Sequence, residues 1–162
     1  MEYLDLYDEN RFKTGEIIAR ETIRDNMPSN RYITIVIIFI ENSKHEFLIQ
    51  KTSIQKGSVF ATTGGLVESG SNSIETVIKE VKEELGLVTN INEVTLIETR
   101  KGPFAFQDTY YLKKDINLKD LILQEEEVEY TKWLSVDEIK GLIDKGLFRK
   151  GNIEPFYAVI NK

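Results

Sequence analysis

The chain has no cysteine. Disulfide bridges, thiolate metal sites and a cysteine nucleophile are therefore excluded. A reducing cytoplasm is the compartment this composition suits. Histidine is nearly absent as well. His45 stands alone at the edge of an expected hairpin, where a histidine reads as a surface residue rather than a catalyst. No apolar run approaches the roughly 20 residues of a membrane span. The longest, Ile33 to Ile40, is rich in β-branched residues and broken by Thr34, as a buried strand is. The opening residues, MEYLDLYDEN, lack the basic-then-apolar layout of a secretion signal. A basic surplus is missing too: the net charge is −6, which offers no footprint for nucleic acid. Neither a nucleic acid nor a membrane is expected as a partner. An acidic protein can still handle phosphates, provided a metal ion or a local basic pocket offsets its own field.

A length of 162 residues fits one domain, 1–162, with a sizeable core. Alternating stretches at Tyr3–Tyr7 and Glu16–Ile23 read as opening strands, separated by a turn at Asp8–Asn10. Arg31–Glu41 is the central strand, and Asn42–Lys44 turns it into a second one, Glu46–Lys51. Val59–Thr63 is a short strand that ends at Gly64 and Gly65. Asn72, followed three residues later by Glu75, caps a helix whose stripe is Ile74, Val77, Ile78, Val81 and Leu85. Gly86 sits where a left-handed cap closes that helix. Strands at Val94–Arg100, Ala105–Leu112 and Thr131–Leu134 follow. Ser135 and Glu138 form a capping box for a helix to about Lys145, and Asn152–Ile160 is a terminal helix. This order implies an α/β or α+β fold, with helices on both faces of a mixed sheet.

The helix after Asn72 carries Glu80, Glu83 and Glu84, which at about 100° per residue span roughly a quarter turn beside the apolar stripe. Glu80 and Glu84 form a like-charge i,i+4 pair, which alone costs roughly 0.2–0.5 kcal/mol. Mg²⁺, a hard cation that prefers oxygen ligands and is often shared with substrate phosphates, would reverse that penalty. Glutamate runs on helices are most often a solvated face, and Glu75, Lys79 and Glu83 have the spacing of ordinary surface ion pairs. The flanking glycines shift the balance toward a site.

Residues 65–87 resemble the Nudix box, G-x5-E-x7-R-E-U-x-E-E-x-G-U with U a bulky aliphatic residue. Gly65, Glu80, Val81, Glu83, Glu84, Gly86 and Leu87 fill their positions in register. Ser71 stands in place of the first glutamate and Lys79 in place of the arginine. In the family those two residues steady the loop and helix as a pair. Losing both is milder than losing one. Lys79 can still reach Glu75 or Glu83, and Glu68 is a nearby acid able to substitute for Ser71. The resemblance implies a Nudix fold and hydrolysis of a nucleoside diphosphate derivative or a related diphosphate. It implies Mg²⁺, or Mn²⁺, held by Glu80, Glu83 and Glu84 with the carbonyl of Gly65 or its neighbour Gly64. Glu80 or Glu83 would serve as general base. Similar proteins place a further carboxylate six residues ahead of the tryptophan, which selects Glu127 ahead of Trp133. Related proteins are often homodimers.

The layout from LDLYDEN to WLSVDE is similar to the branch related to isopentenyl-diphosphate isomerase. That isomerase needs a cysteine acid/base, which this chain lacks, so hydrolysis remains. A non-catalytic domain that binds a nucleotide as a sensor is the alternative. For the rest of the substrate, Phe60, Phe104 and Phe106 are candidates for stacking on a base or an isoprenoid-like group, although such residues more often pack in a core. Lys51, Arg100 and Lys101 are candidate phosphate contacts.

Overall fold

The computed structural model describes residues 1–162. Strands β1 (Tyr3–Tyr7) and β2 (Lys13–Ala19) form an antiparallel hairpin outside the main sheet. The expected strand through Ile23 is corrected. Ala19 pairs with Tyr3, where β1 begins, and only one further bond follows, from the Arg20 N–H to the Glu2 carbonyl at 2.9 Å. The chain instead makes a 3₁₀ turn at Arg20–Thr22 and a short helix, α1 (Ile23–Asn26).

The central strand β3 (Ile33–Glu41) is followed by β4 (Glu46–Thr52), β5 (Phe60–Ala61) and β6 (Thr63–Leu66). Helix α2 (Ser73–Leu85) comes next, then β7 (Thr95–Lys101), β8 (Ala105–Lys113) and β9 (Val128–Ser135). Helices α3 (Val136–Asp144) and α4 (Ile153–Ile160) close the chain. The sheet order is β5-β4-β3-β8-β7, with β6 also on β3 and β9 also on β4. Only β3 and β8 run parallel, from Ile33 opposite Ala105 to Glu41 opposite Lys113. No helix is long and apolar enough to cross a membrane.

Strand β3 is buried on both faces because both are covered. Val36, Ile38 and Ile40 pack with Val77, Val81 and Leu85 of α2. Ile37 and Phe39 pack with Ile139 of α3 and with Phe156 and Val159 of α4. This is the mixed sheet between helices that the element order implied.

The other edge of β3 is shared, and this positions the site. After the turn β4 pairs with β3 only at Glu41 and Phe47, then diverges toward β9. Strand β6 takes the vacated edge, with Val36 opposite Gly65 and Ile37 opposite Gly64. The glycine pair was expected to end a strand; it lies within one. A Cβ on Gly64 would run into the Val36 carbonyl and the Ile37 side chain. Close approach, rather than a turn, demands glycine there.

Candidate active site

Helix α2 is set by its ends. The Asn72 side chain accepts the Glu75 N–H at 2.9 Å, and Gly86 closes the helix at φ +68°. Its first turn is tied down through Ser73, which donates to the buried Asp108 at 2.5 Å. Asp108 also takes both Nη atoms of Arg11, at 2.9 and 2.5 Å, and the Thr99 hydroxyl at 2.6 Å. Burial opposes the Asp108 charge, yet these donors hold its pKa below the usual carboxylate range. At the far end, Ile122 and Gln124 donate backbone N–H groups to the carbonyls of Leu85 and Glu84.

With its apolar stripe on β3, α2 lays its glutamates along the seam with β6. A Cβ on Gly65 would stand 2.6 Å from Cδ of Glu80. The Glu80 carboxylate thus lies against bare backbone, which only glycine permits. Around it is a cavity of about 160 Å³ with no hydrophobic lining residue. Six glutamates line it, Glu80, Glu83 and Glu84 of α2 together with Glu2, Glu68 and Glu127, against two cations, Arg20 and Lys79.

Glu84 is the most unusual of them. It is 4 % exposed, and its hydrogen-bonding partners are the Gln50 amide, 3.1 Å away, and Glu80. The Gln50 carbonyl in turn accepts from the Thr63 hydroxyl at 3.1 Å, which orients the amide with its N–H toward Glu84. Burial first, then the neighbouring Glu80, pushes the Glu84 pKa up to about 9. Burial, with the charge of Glu83, also raises that of Glu80.

The outer glutamates are engaged by lysines. Lys79 lies 3.3 Å from Glu68 and 3.8 Å from Glu83, and Lys56 lies 3.2 Å from Glu127. Glu68 therefore supplies the acid that Ser71 does not. The Ser71 hydroxyl contacts that of Thr76 instead, at 3.3 Å. With the side chains so engaged, no group of three acids is arranged to hold a metal ion.

The structure brings Gly65, Glu80, Glu83, Glu84 and Glu127 together around this cavity. It does not bring the candidate substrate residues there. Lys51 stacks over Phe60 at 5.3 Å from the ring centre, and Phe60 lines a separate hollow beside α3 with Lys132 and Leu142. Arg100 is paired with Glu98 and Glu154. Phe106 is buried beneath Arg11, and Lys101 lies over Tyr32. Phe104 is the exception. It lines a cavity of about 640 Å³ that shares Arg20 with the acidic one.

Sequence reasoning missed Gln50, Thr63, Arg20 and Gln124. Gln50 carried one signal, a polar residue directly after the apolar run Phe47–Ile49 of a buried strand. Arg20 carried none, since it reaches the cavity from the turn after β2.

The NUDIX domain family model matches residues 31–155, from the start of β3 into α4, and the cavity's glycines and α2 glutamates fall within it. The chain belongs to the Nudix family. A Listeria monocytogenes protein named as an uncharacterized Nudix hydrolase is 28% identical over 152 residues, covering 91% of this chain and 88% of its own. The solved structure of DR0079 from Deinococcus radiodurans has the same fold, with a TM-score of 0.75 and 24% identity over 94% of both chains. The NAD-capped RNA hydrolase NudC of Pseudomonas aeruginosa is 26% identical over 97 residues, 60% of this chain and 34% of that protein. This Nudix protein is a hydrolase acting on pyrophosphate bonds.

Proposed function

We propose that the acidic cavity holds a divalent cation, Mg²⁺ or Mn²⁺, with which the protein hydrolyses the phosphoanhydride of a nucleoside diphosphate derivative or related diphosphate. The observation that carries this reading is Glu84, a carboxyl group 4 % exposed beside Glu80 and without a cationic partner. Burying an acid this way is unfavourable unless something pairs with its charge. The donor set fits a hard cation: carboxylate oxygens, a glycine carbonyl and a polar lining. Glu80, Glu83, Glu84 and the Gly65 carbonyl would hold it, with Glu127 adjacent. The lysine pairs of Glu83 and Glu127 are partly exposed, a class that contributes about 0–1 kcal/mol, so they yield readily.

When bound, the ion supplies neutralisation of the diphosphate charge and acidifies a water for attack at phosphorus. The chain's own residues do the rest. Arg20 and Lys79 offer cations to phosphate oxygens within the cavity. Glu80 and Glu83 are the carboxylates that can accept the water's proton. Burial keeps the Glu80 pKa above its ordinary value, nearer the range a general base needs. A cysteine-free enzyme of this kind suits the cytoplasm.

The test is a panel of nucleoside diphosphate derivatives assayed with and without Mg²⁺, with product masses to show which phosphorus is attacked. We expect metal-dependent turnover that Glu80→Gln lowers by about a hundredfold or more. Turnover that persists in chelator, or a Glu80→Gln enzyme at the wild-type rate, would overturn the reading.

A further inference from the structure

The loop Val67–Asn72 joins the two elements that carry the candidate metal ligands, β6 with Gly65 and α2 with its glutamates. Few bonds within the Nudix box hold this loop. The Ser71 N–H returns to the Glu68 carbonyl at 3.0 Å. Lys79 reaches back from α2 to Glu68 at 3.3 Å, with side chains 49% and 36% exposed. An ion pair so exposed contributes little. The crest of the loop, Ser69 and Gly70, is held from outside the box.

The β1–β2 hairpin supplies the anchor. The Tyr3 carbonyl accepts the Ser69 N–H at 2.8 Å. One oxygen of Asp5 accepts the Ser69 hydroxyl at 2.7 Å, and the other accepts the Gly70 N–H at 3.1 Å. The Asp5 side chain is only 16% exposed, with Lys13 of β2 at 3.4 Å. Burial opposes its charge, yet Ser69, Gly70 and Lys13 hold its pKa below the usual carboxylate range. The hairpin is itself fixed. Leu4, Leu6 and Ile18 pack with Ile33 and Ala105, and Tyr7 exchanges backbone bonds with Tyr32 at 2.8 and 2.9 Å. From the hairpin turn, Arg11 grips Asp108, the acceptor for Ser73 in the first turn of α2. The hairpin thus holds both the crest of the loop and the start of the helix. The residues that flank it, Glu2 and Arg20, line the acidic cavity, whereas Asp5 does not.

We propose that Asp5 is a positioning residue for the hydrolysis: by fixing the Ser69–Gly70 crest, it holds β6 and α2 at the spacing in which Gly65, Glu80, Glu83 and Glu84 share one cation. The proposal rests on the reading of the acidic cavity as the cation site. It makes the hairpin part of the active-site scaffold, although no hairpin side chain touches the ion.

Amide hydrogen exchange reads the crest without turnover. In Asp5→Ala, the Ser69 and Gly70 amides are expected to exchange at least about tenfold faster than in the wild type, while those of β3 keep their rates. Mg²⁺ titration and turnover of the same full-length protein, below its melting temperature, read the consequence. The half-saturating Mg²⁺ concentration should rise several-fold and kcat should fall by about tenfold or more, with KM at saturating Mg²⁺ little changed. Asp5→Asn keeps one acceptor oxygen and should recover part of both losses. Ser69→Ala removes one bond from the loop side, leaves the hairpin intact, and should shift every readout the same way by less; it carries the test if Asp5→Ala does not fold. A purely structural Asp5 would lower the melting temperature and leave kcat and the Mg²⁺ requirement of the folded enzyme at wild-type values. That result would overturn the proposal, as would Ser69 and Gly70 amides that exchange at the wild-type rate. Failure of the cavity reading has a different signature: the wild type itself then shows no Mg²⁺ binding, and the proposal falls with it whatever the exchange at the crest.

Discussion

Glu84 is where stability and function are in conflict. Its carboxyl is buried against Glu80, and burial raises its pKa to about 9 from an ordinary 4.5. Between those values the folded protein keeps a proton that the unfolded chain has released. The native state therefore binds more protons, and stability must fall as pH rises through that window. The metal-free protein is thus expected to melt at progressively lower temperature from pH 5 toward pH 9. Glu84→Gln, which cannot ionise and can still accept from Gln50, should flatten that slope and melt higher than wild type at alkaline pH. Mg²⁺ is expected to raise the melting temperature of the wild type, and the same variant should lose most of that rise. Thermal scans of both proteins across pH, with and without Mg²⁺, read both effects. A wild-type profile that rises with pH would contradict the burial argument. The carboxylate triplet was legible at this scale, because three acids in one turn are visible in any sequence. Gln50 and Thr63, which orient Glu84, were not, because their contact is made across strands.

Helix α2 shows which signals are local. Its cap at Asn72, its stripe and its left-handed end at Gly86 all depend on neighbours within a few residues, and all lie where the sequence placed them. The capping box at Ser135 and Glu138 is legible for the same reason. Strand ends depend on a partner and were read less well. β2 stops at Ala19 because β1 begins at Tyr3. β9 runs longer than expected because β4 offers it a partner along most of its length. Gly86 combines a local and a distant demand. Its φ of +68° disfavours any side chain, and an added Cβ would stand 2.8 Å from that of Ile122. Gly70, at φ +85°, has open space around it. Gly70→Ala should therefore cost only about 1–2 kcal/mol for the left-handed backbone. Gly86→Ala should cost clearly more, and should loosen the loop that carries Gln124 into the cavity. Urea denaturation of the two variants makes the comparison, and equal losses would contradict the packing account.

At the scale of the whole molecule, the site exists because three distant parts of the chain converge. The β1–β2 hairpin and the turn after it bring Glu2 and Arg20. The divided edge of β3 admits β6 and its glycines. The loop before β9 brings Gln124 and Glu127. Only the Nudix-box portion of this assembly is contiguous in sequence, which is why the reaction class was legible and the residues that complete the cavity from elsewhere in the chain were not. Lys51, Phe60, Arg100 and Phe106 have plausible chemistry for a substrate contact, yet topology commits them to cation–π contacts, ion pairs or the core. We infer that the buried Glu80–Glu84 pair holds a proton in the place of a cation. Its most direct test is the number of protons released when Mg²⁺ binds near pH 7.5, obtained by calorimetry in buffers of differing ionisation enthalpy. About one proton is expected to leave per ion bound, and none in Glu84→Gln. Binding at these residues without proton release, or no Mg²⁺ binding at all, would contradict it.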